Sequence, residues 1–453
     1  MKPDWKSFLC ILLVCLLFLP GARGEMAPQP ILTPGEAETF VRTFLTGDAE
    51  SLNTQVLVTD ELHTAIASFG GFSGLVRSLA SLGNIKEIGS VSTVRNGNLT
   101  EYHVPCRFTA MAVDLVLVVQ DGAVAGLVTS PFTGVEESQA ETEADENGQS
   151  VPLNIPVPEL DGELPGVLTL PDGTGPFPAV VLVHGSGPSD RDETVMQQKP
   201  FLDLAYGLAK QGIAVYRYDK RTNVYGSKLA EDVTLNLEDE TIEDALHAVQ
   251  MLADRDEIDP KRIVVLGHSL GGMAIPALDR SAEEQAVRPA GYILMAAPAR
   301  RLDVIMREQL HFLDSFTQGT EKETGSQTES ALKQLDRLEE IDSLADTEKI
   351  AGAYVPYWKW LMQYDPLDAA GSITVPCLVL QGQEDYQVTM QDFGLWKEAV
   401  LNRSNWQFIA YPGLVHTFVQ GEKSEGNMVY ARNAHVEQQV ISDIAEFVLS
   451  VDP

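Results

Sequence analysis

The stretch Val264–Ala274 reads VVLGHSLGGMA and contains one serine, Ser269, between Gly267 and Gly271. The preceding residues are apolar, as in a buried strand, and the following LGGMAIPALD is typical of a helix start. A G-x-S-x-G sequence between a strand and a helix predicts a sharp turn that lifts the serine hydroxyl above the edge of a sheet. We therefore interpret Ser269 as a candidate nucleophile, and the N–H of Leu270 as a candidate donor to an oxyanion.

Apolar runs alternate with helix-like segments on both sides of this turn. The strand-like runs are PAVVLVHG (178–185), IAVYRYDKR (213–221), RIVVLG (262–267) and AGYILMAAP (290–298). The helix-like segments are KPFLDLAYGLAKQG (199–212) and TIEDALHAVQMLADR (241–255). This alternation predicts βαβ units, and hence a mostly parallel sheet with helices on both faces over residues 151–453.

Two later strands provide partners for the serine. A serine hydroxyl needs a general base, and the base needs an acid that orients it. The run at 375–388 leads to Glu384 and Asp385, and the run at 406–418 leads to His416. Both positions follow strand ends, in the order serine, acid, histidine that this kind of sheet uses. We predict a triad of Ser269, Asp385 and His416, and prefer Asp385 to Glu384 because it fits an outward-facing loop carboxylate better.

The loop after the strand at 178–185 predicts the second half of an oxyanion hole. Its sequence HGSGPSDRDE begins at His184 and contains two glycines that allow close approach of the backbone to a ligand. Ser186 N–H is the preferred donor and Gly185 N–H the second choice. We interpret His184 as a packing residue that supports the loop.

Charged residues near these strand ends predict local ion pairs. We expect the side chains of residues 190–192 (Asp-Arg-Asp) to pair with one another. At the end of the next strand, we expect Asp219 to pair with Lys220 or Arg221.

Between Pro298 and Pro366 the sheet pattern is interrupted, which predicts a helical lid over about residues 300–366. Tyr354, Tyr357 and Trp358 belong to an aromatic cluster in this segment. These rings are candidates for the lining of a substrate pocket. The alternative is that they pack the lid onto the core, and the sequence leaves both open.

The N-terminus has the pattern of a secretory signal peptide over residues 1–24. Two lysines precede an apolar run of twelve residues, 8–19, and small residues follow at Ala22 and Gly24. The run is short for a membrane span, so we expect a secreted protein without stable membrane insertion after cleavage. An uncleaved anchor is the alternative.

Residues 31–132 predict a small α+β domain, because helix-like segments come first and strand-like runs joined by RNGN and QDGA follow. Residues 133–150 contain six acidic and no basic side chains and almost nothing apolar, which predicts a flexible linker.

Composition limits the function further. The chain of 453 residues has a formal net charge of −33, which disfavours binding to nucleic acid. We expect Cys106 and Cys377 to be buried, unpaired thiols. Histidine and cysteine spacing indicates no metal site, and we expect no cofactor.

The motifs HGSGP, YDKR, GHSLGG, QGQEDYQV and YPGLVHTF resemble the α/β-hydrolase superfamily over residues 151–453. Similar members are secreted esterases and prolyl-oligopeptidase-like or serine-aminopeptidase-like hydrolases. The resemblance implies Ser269 as nucleophile, Asp385 as acid and His416 as base. The small domain resembles the cone-like ketosteroid-isomerase fold that precedes some secreted α/β hydrolases. DKRTNVYGS departs from the family pattern because it lacks the glycine that usually follows DKR.

The expected activity is that of a serine hydrolase that cleaves carboxylic esters through an acyl-enzyme intermediate, with a small-molecule ester or peptide as substrate. Peptidase or amidase activity is the close alternative, because the same groups cleave both kinds of bond. A non-catalytic binding protein on the same scaffold is the third possibility.

Overall fold

A computed structural model describes residues 33–46, 85–96, 99–108, 112–120, 122–131, 149–285, 287–315 and 322–451, and a few residues between 52 and 76. The predicted signal peptide at 1–24 lies outside the described residues. Contacts divide the chain into two compact units, Met1–Glu137 and Ser138–Pro453. The division falls inside the predicted linker, of which only Gln149 and Ser150 are described. These two residues already belong to a strand, so the linker was predicted two residues too long.

The first unit combines one long described helix with an antiparallel sheet. The helix α1 spans Pro34–Thr46, and the strands are β1 (Ile85–Ile88), β2 (Ser92–Asn96), β3 (Leu99–Phe108), β4 (Ala112–Gln120) and β5 (Ala123–Pro131). Their order is β1-β3-β4-β5, with β2 also paired to β3. The β2–β3 and β4–β5 hairpins lie where RNGN and QDGA predict them. The small domain is therefore of the predicted α+β kind, whereas its likeness to a cone-like fold stays a prediction.

An eight-stranded sheet organises the second unit. Its strands are β6 (Gln149–Pro152), β9 (Gly166–Leu170), β10 (Phe177–Val183), β11 (Ala214–Tyr218), β12 (Ile258–His268), β13 (Gly291–Met295), β16 (Cys377–Gly382) and β17 (Trp406–Tyr411). The order is β17-β16-β13-β12-β10-β11-β9-β6. The six strands from β17 to β11 pair in parallel, and β9 and β6 add antiparallel pairs at one edge. The mostly parallel sheet is thus confirmed.

Short elements connect and cover this sheet. A two-stranded ribbon pairs β7 (Ile155–Val157) with β8 (Gly162–Leu164). The helices before the lid are α2 (Pro200–Ala209), α3 (Arg221–Val224), α4 (Gly226–Leu229), α5 (Glu243–Ala253) and α6 (Leu270–Glu284), and a π-helical turn spans Glu238–Ile242. After the lid come α11 (Met390–Ala399), a 3₁₀ segment at Lys423–Ala431 and α12 (Gln438–Ser450).

Side chains that alternate along the strands fill two hydrophobic layers. In β10, Val181 and Val183 face the layer that contains α5 and α6, whereas Val180 and Leu182 face the layer that contains α2 and α12. Because side chains alternate between the faces of a strand, continuous apolar runs are required wherever both faces are covered. This explains why the runs at the centre of the sheet contain almost no polar residue.

The segment between β13 and β16 forms the predicted helical insertion. It contains α7 (Leu302–Ser315), α8 (Lys322–Asp336), a 3₁₀ segment at Arg337–Ser343, the ribbon β14 (Lys349–Ile350) and β15 (Ala353–Tyr354), α9 (Val355–Gln363) and α10 (Pro366–Ala370). Its apolar side chains continue the α5–α6 layer, and they include Leu335, Leu338 and Trp358. The insertion therefore shares a core with the sheet, and we call it the lid.

Both cysteines of the described chain are free and buried, as predicted. Burial raises the pKa of the Cys106 thiol to about 12. Among the described residues, no helix is long and apolar enough to cross a membrane.

Candidate active site

Ser269 lies between β12 and α6 in the strained turn that the sequence predicts. Its backbone angles are φ 52° and ψ −120°. A positive φ at a residue with a side chain costs about 1–3 kcal/mol and persists only where the surroundings enforce it. The Ser269 N–H donates to the carbonyl of Met295 at 2.9 Å, and its own carbonyl accepts from the N–H of Met273 at 3.0 Å. These bonds hold the serine at the carboxyl end of the central strand and at the start of a helix.

Two glycines make this turn possible because no side chain would fit at either position. A Cβ atom at Gly267 would lie 2.3 Å from the carbonyl oxygen of Gly271. A Cβ atom at Gly271 would lie 2.5 Å from the carbonyl oxygen of Val183, at the end of β10. The start of α6 therefore contacts the neighbouring strand backbone directly, next to the loop that follows β10.

Asp385 and His416 meet at the same edge of the sheet. His416 Nδ1 lies 2.7 Å from Asp385 Oδ2, and both side chains are buried. Asp385 Oδ1 accepts the backbone N–H groups of Gln387 and Val388, at 2.7 and 3.0 Å. A carboxylate held in this way accepts a hydrogen bond from Nδ1–H, so the other ring nitrogen, Nε2, is the unprotonated one and can act as a base.

The other acidic candidate, Glu384, points elsewhere. Its backbone N–H donates to the carbonyl of Leu414, and its carboxylate accepts the backbone N–H of Lys423 at 3.3 Å. The structure thus places Asp385 against the histidine and the half-buried Glu384 against the backbone of Lys423.

His268, directly before Ser269, links the serine turn to the histidine loop. Its Nε2 lies 3.1 Å from the carbonyl oxygen of His416, and the two rings are 4.7 Å apart. Its Nδ1 lies 2.9 Å from Glu193 Oε2. Burial alone would lower the pKa of His268, but the charge of Glu193 raises it above its usual value. Burial alone would raise the pKa of Glu193, and the charge of His268 lowers it. The two side chains therefore form a buried ion pair next to the serine turn.

The loop after β10 passes close to Ser269, as a pair of oxyanion donors requires. A Cβ atom built on Gly185 would lie 3.0 Å from the Cβ of Ser269. Gly185 N–H donates to Glu193 Oε1 at 2.7 Å, so it is already used. Ser186 is exposed, and its N–H takes part in no hydrogen bond of the described chain. Ser186, with Leu270 at the first position of α6, stays the predicted pair of donors.

His184 supports this loop from inside. It is buried, its ring contacts those of Phe201 and Tyr218, and its Nε2 lies 3.1 Å from the carbonyl oxygen of Asp190. Burial lowers the pKa of His184 to about 4, so the ring is neutral near pH 7. This is the packing role predicted from the sequence.

The predicted pairing among residues 190–192 is wrong. Arg191 pairs with Asp219, at 2.9 Å, and Asp192 pairs with Arg217 on β11. Asp190 accepts the N–H and hydroxyl of Thr194. The loop lies beside the end of β11, so residues from that strand reach its charges before its own neighbours do.

The predicted pairing of Asp219 with Lys220 or Arg221 is also wrong. Lys220 pairs with Glu240 at 2.9 Å, and Arg221 pairs with Asp244 at 2.7 Å. Side chains adjacent in sequence diverge where a strand ends, and each meets a carboxylate from a different segment.

The lid aromatics proposed as pocket lining have unequal positions. Trp358 is buried, and its indole N–H donates to the carbonyl of Ile350 at 2.7 Å. Tyr357 is partly exposed, but its hydroxyl donates to Glu240. Tyr354 is also partly exposed and lies under the ammonium of Lys349. Trp358 thus packs the lid, and the pocket role of the two tyrosines stays a prediction.

Sequence reasoning missed Glu193, His268, Lys220 and Glu240 as residues of the site. His268 occupies a variable position of the G-x-S-x-G pattern, and the other three lie in ordinary charged stretches. A sequence signal existed only for Lys220 and Glu193, which stand near strand ends. Within the described ranges, no group of three or more His, Cys, Asp or Glu side chains is placed to hold a metal.

Comparison with known proteins agrees with this architecture. A sequence model described as "Alpha/beta hydrolase family" matches residues 180–419, which is more than half of the chain and includes both Ser269 and His416. The chain is 34% identical to "Esterase EstD" of Thermotoga maritima over 371 residues, which cover 82% of this chain and 84% of the relative.

The structural matches among solved proteins include two esterases. A hyperthermophilic esterase of Pyrobaculum calidifontis matches with a TM-score of 0.46 and 16% identity, over 69% of this chain and 89% of its own. Est1E of Butyrivibrio proteoclasticus matches with a TM-score of 0.42 and 15% identity, over 66% of this chain and 99% of its own. Both TM-scores are below 0.5, so the assignment rests on the family model and the Thermotoga relative.

The low pKa of His184 predicts a pH dependence of stability. With a pKa of about 4 in the folded chain against about 6.5 in the unfolded chain, the unfolded chain binds more protons between these values. The free energy of unfolding should therefore fall as pH falls, by about 3 kcal/mol from this residue between pH 7 and pH 4. In His184→Gln, whose amide can still donate to the Asp190 carbonyl, the free energy of unfolding measured with urea should fall less steeply over that pH range. Equal slopes for both proteins would contradict this account.

Proposed function

The chain belongs to the α/β-hydrolase family, and on this premise we propose that it is an exported serine esterase that cleaves carboxylic esters of small molecules through an acyl-enzyme. The observation that supports the proposal most directly is the 2.7 Å contact of His416 with Asp385, at the edge of the sheet where Ser269 stands in its strained turn. The name of the Thermotoga relative favours an ester as the substrate.

The proposed reaction begins with acylation of the serine. Ser269 Oγ attacks the ester carbonyl carbon while His416 Nε2 takes the hydroxyl proton. Asp385 keeps the proton of the histidine on Nδ1 and stabilises the imidazolium. The carbonyl oxygen gains negative charge and accepts the N–H groups of Ser186 and Leu270. The C–O bond to the alcohol then breaks, and His416 gives its proton to the leaving alkoxide oxygen.

Deacylation repeats these steps with water. His416 takes a proton from a water molecule whose oxygen attacks the acyl carbon of the ester on Ser269. The second tetrahedral intermediate collapses to a free carboxylic acid, and the proton returns to Ser269 Oγ. Apart from the ester and the water molecule, the groups in these steps are side chains and backbone N–H groups of the chain.

Ser269→Ala should lower kcat/KM for a short-chain nitrophenyl ester by roughly 10³-fold or more, because the nucleophile is lost. Ser442→Ala, which removes a hydroxyl bonded within α12, should retain wild-type turnover. A fluorophosphonate should label Ser269 in the wild type and the Ser442 variant.

The same assay with aminoacyl amides separates the alternatives. Faster cleavage of amides than of esters would favour a peptidase. Ester turnover no faster than the uncatalysed reaction in both the wild type and the Ser269→Ala variant would favour a binding protein without a working triad.

Asp385→Asn should lower kcat by as much as about 10⁴-fold, because the amide favours the histidine tautomer with its proton on the wrong nitrogen. Glu384→Gln is the matched control, since this carboxylate contacts the backbone of Lys423 instead of the histidine. Steady-state kinetics of both variants on one ester provide the measurement. A larger loss for Glu384→Gln than for Asp385→Asn would transfer the role of the acid to Glu384.

Export is the part of the proposal that rests on the sequence of residues 1–24 alone. When the full chain is produced in a secreting host, the protein in the medium should begin at Glu25. N-terminal sequencing of that protein measures this. Full-length chain recovered with the membranes would indicate the uncleaved anchor instead.

A further inference from the structure

The loop that carries Ser186 is connected to the lid through Lys220, Glu240 and Tyr357. We propose that these three side chains position the Ser186 N–H, so that stabilisation of the oxyanion depends on the seating of lid helix α9. They are positioning residues, because they act through the loop backbone and need no contact with the substrate. The inference rests on the proposed function, since it assigns them a part in ester hydrolysis.

Lys220 makes the contact with the loop. Its side chain is 2% exposed, and its Nζ donates to the carbonyl oxygen of Gly185 at 2.9 Å. The same ammonium lies 2.9 Å from Glu240 Oε1. The backbone N–H of Lys220 also donates to the carbonyl of Ser189, at 3.0 Å. One residue at the end of β11 thus holds the loop after β10 at two points.

The bond to Gly185 determines the direction of the Ser186 N–H. The carbonyl of one residue and the N–H of the next belong to one planar peptide unit, in which they point in opposite directions. Because the buried Lys220 ammonium holds the Gly185 carbonyl toward the interior, the Ser186 N–H points away from the interior. The preceding Gly185 N–H is held by Glu193 at 2.7 Å, so the peptide units on both sides of Gly185 are fixed by side chains.

Glu240 connects Lys220 to the lid. It is buried on the π-helical turn Glu238–Ile242, and its second carboxylate oxygen, Oε2, accepts the Tyr357 hydroxyl at 2.6 Å. Tyr357 belongs to helix α9 of the lid. Burial raises the pKa of the Tyr357 hydroxyl well above its usual value of 10, so the hydroxyl remains a donor. Without it, one oxygen of a buried carboxylate would lose its partner, and Glu240 would shift toward other donors.

Two other hydrogen bonds of the lid reach residues outside this loop. Tyr364, at the end of α9, donates its hydroxyl to the carbonyl of Met273 in α6, at 2.8 Å. Lys349 donates to the carbonyl of Ala230. These bonds attach the lid to other parts of the second unit, whereas the Tyr357 hydroxyl binds Glu240, the residue that pairs with Lys220.

A role in positioning has a kinetic signature that a role in folding lacks. The Ser186 N–H meets a full negative charge only in the tetrahedral intermediate, so a misdirected N–H weakens the transition state more than the bound ester. Loss of the Lys220 contact should therefore appear in kcat and leave KM nearly unchanged.

The test compares Lys220→Met and Tyr357→Phe with the wild type on one nitrophenyl ester, with kcat expressed per serine titrated by a fluorophosphonate. Because loss of a whole oxyanion donor costs about 10²–10³-fold in kcat, we expect about 10- to 100-fold for Lys220→Met and about two- to fivefold for Tyr357→Phe. KM should change by less than about twofold. The inhibition constant of an alkyl boronic acid, which forms a tetrahedral adduct, should rise in proportion to the loss of kcat.

Two control variants remove similar groups that do not reach the loop. Arg221→Met breaks the neighbouring buried ion pair with Asp244, and Tyr364→Phe removes another tyrosine hydroxyl that attaches the lid. Both should lower thermal stability without lowering kcat per titrated serine. If Lys220→Met does not fold, the same comparison of kcat per titrated serine can be made with Glu240→Gln and Tyr357→Phe.

The double variant Lys220→Met/Tyr357→Phe tests whether the two residues act through one path. Tyr357→Phe should have little effect once Lys220 is replaced, because the connection to the loop is already broken. Additive losses, or an equal loss of kcat in the controls, would overturn the positioning role while wild-type activity persists. Absence of wild-type turnover and of Ser269 labelling would overturn the proposed function itself.

Discussion

The candidate site depends on how closely the turn around Ser269 approaches the neighbouring strand. Gly267 and Gly271 leave no room for a side chain, and Gly271 contacts the backbone at the end of β10. This close approach forces the serine to a φ of 52° and brings the start of α6 beside the loop that contains Ser186. A single steric constraint thus places the candidate nucleophile and both candidate oxyanion donors within one small volume.

Buried carboxylates form the polar framework around this volume. Asp385 orients the His416 ring, Glu193 holds the Gly185 N–H and pairs with His268, and Glu240 holds Lys220. A buried carboxylate without partners would cost several kcal/mol. Each of the three lies within 2.9 Å of a cation or a ring nitrogen, and Asp385 and Glu193 also accept backbone N–H groups. The acidic character of the chain therefore extends into its interior, where each carboxylate orients a different part of the site.

Local sequence patterns predicted the elements of the large unit and much of the candidate site. Continuous apolar runs predicted parallel strands because both faces of the sheet are covered, and the strand ends predicted the contact between Asp385 and His416. The completion of the triad by Ser269 stays a prediction. The same kind of local argument failed for the ion pairs. Arg191 binds Asp219, 28 positions further along the chain and directly after β11, although oppositely charged residues stand directly beside it.

The sequence by itself determined the fold class and the chemical groups of the candidate triad, because periodicity, glycine spacing and strand ends are properties of short segments. Only the tertiary structure decided what orients those groups. Lys220, Glu240 and Tyr357 come from a strand end, a π-helical turn and the lid, and they meet at one loop. Which side chains meet in the interior is set by the order of the strands and the packing of helices on the sheet. No pattern within a single segment contains that order.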